Sequence, residues 1–186
     1  MPGPVFTRLH DLALEQHGFL RPSDVKRVGI DPKRLVDLES RGQAERVGWG
    51  IYRLNMIPHD QMEEFMLAAL WPHGRGTISH ETALDLYDLC DVNPHQIDVT
   101  VPRRYRITRQ VPQAYRLWKE DLADTQVTRW QGVPIVTPQQ AILGATDAGV
   151  RAGLIEQAID GARARGMIKR TDADNLHLHL DRVTAG

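Results

Sequence analysis

The chain has 186 residues, of which 41% are hydrophobic and 25% charged, with a net charge of -1 and a single cysteine. This composition is that of a soluble globular chain and excludes disordered and collagen-like classes; no apolar run approaches the roughly 20 residues of a bilayer span. The N-terminus, MPGPVFTRLHDLALEQHG, lacks a basic start followed by an apolar block, and the lone Cys90 has no partner for an intrachain disulfide, so a reducing cytoplasm is the expected setting, with no membrane contact.

The length suffices for two small domains, and the chain reads as residues 1–57 and 58–186. In the first, Val5, Phe6, Leu9, Leu12 and Ala13 recur at helical spacing and predict a helix over residues 4–17. A short second helix over 22–28 turns Val25 and Val28 inward and Lys26 and Arg27 outward. Asp31 is placed as an N-cap with Pro32 at the first helical position. The third helix is anchored by Leu35, Val36 and Leu38, leaving Lys33, Arg34, Asp37, Ser40 and Arg41 outside. Gly18, Gly29 and Gly42 fall where each helix must stop. Extended stretches at 44–47 and 51–54 then flank Gly48, Trp49 and Gly50 as a hairpin tip. Three helices followed by a hairpin are the plan of a winged helix-turn-helix, a DNA-reading device.

The link at 55–60 leads to a helix over 59–71 carrying Met62, Phe65, Met66, Ala69 and Leu70. Next come a strand at 77–79, a helix at 80–89, strands at 96–101, 114–118 and 133–136, and a helix opened by Thr137 and Pro138. A long helix over 150–165 and a last short segment over 172–180 close the chain. Strands and helices mix without a strict βαβ rhythm, so the fold class is α+β (mixed). Charge is segregated along this order. Residues 1–57 hold nine Lys/Arg and seven Asp/Glu, residues 58–99 one and eight, and residues 100–119 six and none. Such blocks point to surfaces facing different partners.

In the winged helix, Lys33 and Arg34 sit near the N-terminal end of the third helix, where side chains reach base edges, while Ser40, Arg41, Arg46 and Arg53 are placed to hold phosphates. Trp49 at the wing tip is a further candidate for groove or sugar contact, or for packing on its own hairpin. A second basic surface, Arg103, Arg104, Arg106 and Arg109, extends to Arg116 and Lys119 with Tyr105 and Tyr115 interleaved; it suits DNA phosphates, an acidic face of a protein partner, or a solvated hairpin. The acidic block of Glu63, Glu64, Asp85, Asp88 and Asp91 would repel DNA and suit a cationic partner.

The order of pieces resembles the AbiEi family of type IV toxin-antitoxin antitoxins. The likeness runs through GFLRPSDVKRVGIDPKRLVDLESRGQAERVGWGIYRL, GTISHETALDLYDL, IDVTVPRRYR and GVPIVTPQQAILG, and covers the chain to about residue 145. It implies an antitoxin that represses its own operon through the winged helix and counteracts a cognate nucleotidyltransferase-like toxin through the second domain. Because half-site pairing multiplies specificity, a homodimer on a two-fold repeat of operator DNA is the expected bound form. Trp49 stands where the resemblance implies another arginine.

Enzymatic readings find less support. Ser79, His80, Glu81 and Thr82 are adjacent, but consecutive residues point to different faces, and Ser79 reads as a helix cap rather than a nucleophile. Glu81 with Asp98 lacks the lysine of a nuclease. The turn at Gly74, Arg75, Gly76 and Thr77 has no Walker lysine for phosphoryl transfer. His177 and His179 do not form a closed ligand set. No catalytic residue, metal or cofactor is therefore expected. The alternatives left standing are a stand-alone winged-helix transcriptional regulator and a kinase-like enzyme that modifies the toxin.

Overall fold

The computed structural model describes residues 3–185. Helix α1 (Pro4–Leu14) is followed by β1 (Phe19–Leu20), α2 (Pro22–Arg27), α3 (Lys33–Ser40), and the hairpin of β2 (Ala44–Gly48) and β3 (Ile51–Leu54). The three strands form an antiparallel sheet in the order β1-β3-β2. Helix–strand–helix–helix–hairpin with this strand order is a winged helix.

Local chemistry accounts for the element ends. Helix α3 begins one residue later than the sequence position predicts, with Pro32, already at helical dihedrals, as its N-cap, and the Asp31 carboxylate accepts the Lys33 backbone N–H at 2.9 Å just ahead of it. At the other end Gly42 adopts φ +66°, which lets the Gln43 N–H reach the Leu38 carbonyl at 2.9 Å and satisfy an otherwise orphaned acceptor. Leu9, Leu12, Ala13, Leu20, Val25, Leu35, Leu38, Ala44, Tyr52 and Leu54 close into one core, with Phe6 and Val28 packed at its edge. Val5 is 40% exposed instead of joining the α1 stripe. It lies on the first turn, at the open edge of the cleft between α1 and α3.

The chain then runs through α4 (Glu63–Leu70), β4 (Thr77–Ile78), α5 (His80–Leu86), β5 (Ile97–Val101), β6 (Tyr115–Lys119), β7 (Val127–Trp130), β8 (Val133–Val136), α6 (Pro138–Asp147), α7 (Ala152–Ala164) and α8 (Arg170–Thr184). Two compact units result. The first ends at Gly74 and includes Gln131–Val133; the second holds Arg75–Trp130 and the chain from Pro134 onward. Helix α4 therefore lies in the first unit, whereas a division at 57/58 assigns it to the second. Strand alternation gives the reason: Tyr52 and Leu54 face the helical core, and Arg53, on the opposite face of β3, meets Glu63 of α4.

The second unit carries a five-stranded mixed sheet in the order β6-β5-β4-β8-β7. β4 runs antiparallel to β5 and parallel to β8, and β5 runs parallel to β6. α5 packs on α6, and α6 on α7 and α8. Gly161 of α7 approaches the chain after α5 so closely that a Cβ there would lie 3.0 Å from the Leu89 carbonyl oxygen. Two elements exceed the sequence expectation. Strand β7 joins β8 through Gln131 and Gly132, both at positive φ, and the C-terminal segment is a 15-residue helix anchored by Ala173, Leu176 and Leu180. Among the described residues no helix is long and apolar enough to cross a membrane.

Candidate nucleic-acid interface

Helix α3 buries Leu35 and Leu38, at 0% and 7% exposure, and turns the opposite face to solvent. With 3.6 residues per turn, the outermost row is Lys33, Val36, Asp37 and Ser40, related as i, i+3, i+4 and i+7; all four are exposed. Val36, expected as a core anchor, is 53% exposed, because two leucines already fill the narrow inward arc of so short a helix. Arg34 and Arg41 lie on one flank and, with Phe6, Leu9 and Leu38, border a shallow apolar cleft between α1 and α3. Arg34 reaches the Asp37 carboxylate at 3.6 Å. Both side chains are half exposed, so the pair is weak and open to competition from phosphate. The Ser40 hydroxyl donates to the Asp37 carbonyl at 2.9 Å, and the residue is exposed.

On the wing, Arg46 is exposed and its guanidinium lies 6.0 Å from the centre of the Tyr52 ring. Trp49 projects at 72% exposure from the Trp49–Gly50 loop, so it does not fold back on its hairpin. Lys26 and Arg27 of α2 are also exposed.

Arg53 is not a phosphate ligand. It is 5% exposed, donates to Glu63 Oε1 through Nη2 at 2.6 Å and Nε at 3.1 Å, and donates to the Ile57 carbonyl at 2.8 Å. Burial pushes the Glu63 carboxyl upward, but hydrogen bonds from Arg53 and His59 outweigh it and hold its pKa below the ordinary value.

The second basic surface is rearranged. Because β5 and β6 are parallel, residues 102–114 form a crossover and not a hairpin. Arg103, Arg104 and Arg106 are exposed on it and Arg109 is half-buried. Tyr105 is 5% exposed and is closed to stacking on a partner. Arg116 points elsewhere: it donates to Asp98 at 2.6 and 3.2 Å and to Glu81 at 2.7 Å. The acidic block is divided between the units, Glu63 and Glu64 in the first and Asp85, Asp88 and Asp91 in the second.

Ser79 and His80 are buried, at 2% and 6% exposure. The Ser79 hydroxyl accepts from Thr100 at 2.8 Å and lies 2.9 Å from His80 Nδ1. It makes no cap bond to the α5 backbone, contrary to the capping role read from sequence; the Asp98 carboxylate approaches the Thr82 N–H instead, at 3.4 Å. The His80 ring stacks on Trp118 with centroids 4.1 Å apart. Burial drives its pKa down to about 4, although Asp98 pulls the other way. Below the ordinary value of 6.5 the unfolded chain takes up a proton that the folded chain refuses until about pH 4. Stability contributed by the neutral ring is therefore complete above pH 6.5 and is lost as pH falls through this window, by about 3 kcal/mol. His80→Asn, which suits the observed φ of +51°, should flatten the pH 5 to 7 dependence of urea midpoints. An equal slope in the variant would remove His80 as the cause.

Cys90 is half-buried and its thiol is pushed up to about 11 by burial, which makes it a poor nucleophile. His177 and His179 lie on α8, His179 against Asp147 at 2.6 Å. Among the described residues no group of three or more His, Cys, Asp or Glu side chains is placed to hold a metal ion.

Residues 8–55 match the family model described as "Transcriptional regulator, AbiEi antitoxin". No curated protein matches the chain. Among solved structures, the crystal structure of the RV2827C protein from Mycobacterium tuberculosis is similar at 13% identity and a TM-score of 0.43, over 98% of this chain and 78% of that one.

Proposed function

We propose that this chain, whose residues 8–55 match the family model of AbiEi antitoxin transcriptional regulators, represses its own operon by laying α3 into the major groove of operator DNA. Through its second unit it counteracts a nucleotidyltransferase-like toxin. The observation that carries the DNA half is the disposition of α3: its apolar side is closed on the core while Lys33 and Ser40 occupy the outermost row, with Arg34 and Arg41 on one flank. Lys33 and Arg34 read base edges. Ser40, Arg41 and the wing's Arg46 hold phosphates, and Trp49 lies against the adjacent groove. A homodimer on a two-fold repeat is the expected bound form. For the toxin half, Arg103, Arg104 and Arg106 or the exposed Asp85, Asp88 and Asp91 supply charged surface in the second unit. The reading includes no catalytic step and no cofactor; the adjacent Ser79 and His80 are buried in a network with Thr100.

Binding of the full chain to the DNA upstream of its own coding region and to a random duplex, measured over a salt series, tests the first half. Affinity should fall with a log-log slope of about -0.9 per phosphate contacted. Replacing Lys33 and Arg34 together by alanine should cost roughly tenfold or more of the preference for the upstream fragment. Arg46→Ala should weaken both duplexes alike and flatten the slope by about one. Absence of protected bases upstream at physiological ionic strength would overturn the reading. For the second half, co-expression with the neighbouring gene product should relieve growth arrest; unrelieved arrest overturns it.

A further inference from the structure

Val36 stands in the middle of the outermost row of α3, one turn after Lys33 and one turn before Ser40, and is 53% exposed. A β-branched residue on a solvated helix face contributes nothing to the core and forms helix less well than alanine. Its isopropyl group is the apolar centre of a surface otherwise made of Lys33, Asp37 and Ser40, with Arg34 drawn toward Asp37. We propose that Val36 is a specificity residue that reads the 5-methyl group of a thymine in the major groove; this rests on the DNA-binding role proposed above and names what the centre of α3 recognises.

The occupant follows from chemistry. In the major groove thymine alone among the four bases presents a methyl group, and an apolar side chain flanked by a cation and a hydroxyl matches a methyl set beside hydrogen-bonding base edges. Lys33 toward the N-terminal end and Ser40 toward the C-terminal end bracket it, so the row fixes the helix over the groove while Val36 meets the floor.

Replacing thymine by deoxyuridine, position by position in the protected upstream site, removes the methyl and leaves every hydrogen-bonding group in place. Full-length protein should lose about fourfold in affinity at one thymine per half-site, the loss expected for one buried methyl group, and be indifferent at the others. Val36→Ala, whose shorter side chain draws back from the methyl, should bind the thymine duplex more weakly than the wild type and shrink the roughly fourfold thymine preference, with an unchanged salt slope. Alanine is the better helix former, so loss of folding does not obscure the result, and an unchanged thermal midpoint verifies this. If the wild type binds upstream DNA but no uracil substitution weakens it, the proposal is overturned while DNA binding stands. If Val36→Ala keeps the full wild-type thymine preference, or weakens only co-elution with the toxin, Val36 is not the reader. If no upstream site is bound at all, both readings fall together.

Discussion

Glu63→Ala should unfold the first unit at markedly lower denaturant, with a loss of about 3 kcal/mol, while Arg53→Met should cost clearly less. The asymmetry comes from what each change leaves behind. The Arg53 side chain is 6% exposed, and without Glu63 a guanidinium remains in the interior with only the Ile57 and Leu54 carbonyls for company. An uncompensated buried charge of this kind typically costs 3–5 kcal/mol, the lower end applying where carbonyls remain as partners. Methionine in place of Arg53 instead keeps much of the volume, and leaves Glu63, at 16% exposure, with His59 at 2.8 Å. The same variant separates structure from DNA contact: if Arg53 held a phosphate, Arg53→Met would flatten the salt dependence of DNA binding by about one, whereas a structural arginine leaves it unchanged. The acid limb offers a second reading. With its pKa held below 4.5, Glu63 contributes stability that is present above that value and lost as pH falls through the lower folded one. The first unit should therefore weaken on the acid side of the window in which His80 acts on the second. Urea transitions of the two variants and the wild type at pH 7 and pH 4 decide it; a salt slope reduced in Arg53→Met with stability intact would reinstate the phosphate contact.

Arg53 also shows where the sequence stopped being legible. The three helix ends of the winged helix could be read from Gly18, Gly29 and Gly42 because positive φ is a local requirement, and all three adopt it. The hairpin was legible for the same reason. Whether the far side of β3 faces solvent is not local: it depends on α4, ten residues later in the chain, folding beneath Arg53. An arginine in a wing reads as a phosphate contact until the covering helix is known. Val36 fails differently, since LVDL offers three apolar residues to an arc that holds two, and only the helical angle relative to Leu35 and Leu38 selects among them. In the second unit the parallel pairing of β5 and β6 leaves no mark between the strands, so a hairpin stays among the sequence readings of residues 102–114. β7 was missed because its turn to β8 uses Gln131 before Gly132, where asparagine or aspartate would have signalled it. The polar members of β5 did alternate visibly, Asp98 and Thr100 in a β-branched strand, but nothing in that pattern says that their face is the buried one.

Asp98 is the clearest instance, and its removal should rescue the loss of its own partner. The carboxylate is 0% exposed and accepts from Arg116 and from Trp118 Nε1 at 2.8 Å, whereas the Arg116 side chain is 40% exposed and has Glu81 as a second acceptor. Arg116 is held in its charged form chiefly by the Asp98 hydrogen bond, with Glu81 adding to it against the opposing effect of burial. Arg116→Ala strands a carboxylate where water does not reach, and should destabilise the second unit by about 3–5 kcal/mol. Asp98→Ala leaves a cation that still has Glu81 and solvent; its cost is the Trp118 N–H without an acceptor, the longer contacts to the Thr82 N–H and hydroxyl, and a small cavity, about 2 kcal/mol. The double variant should then resemble Asp98→Ala and be more stable than Arg116→Ala alone, because deleting the carboxylate deletes the stranded charge. A double-mutant cycle read by chemical denaturation measures this directly. Additive losses would mean that the two groups are stabilised independently. The network would then be two separate contacts, and the His80 ring stacked on Trp118 would owe nothing to the charge beside it.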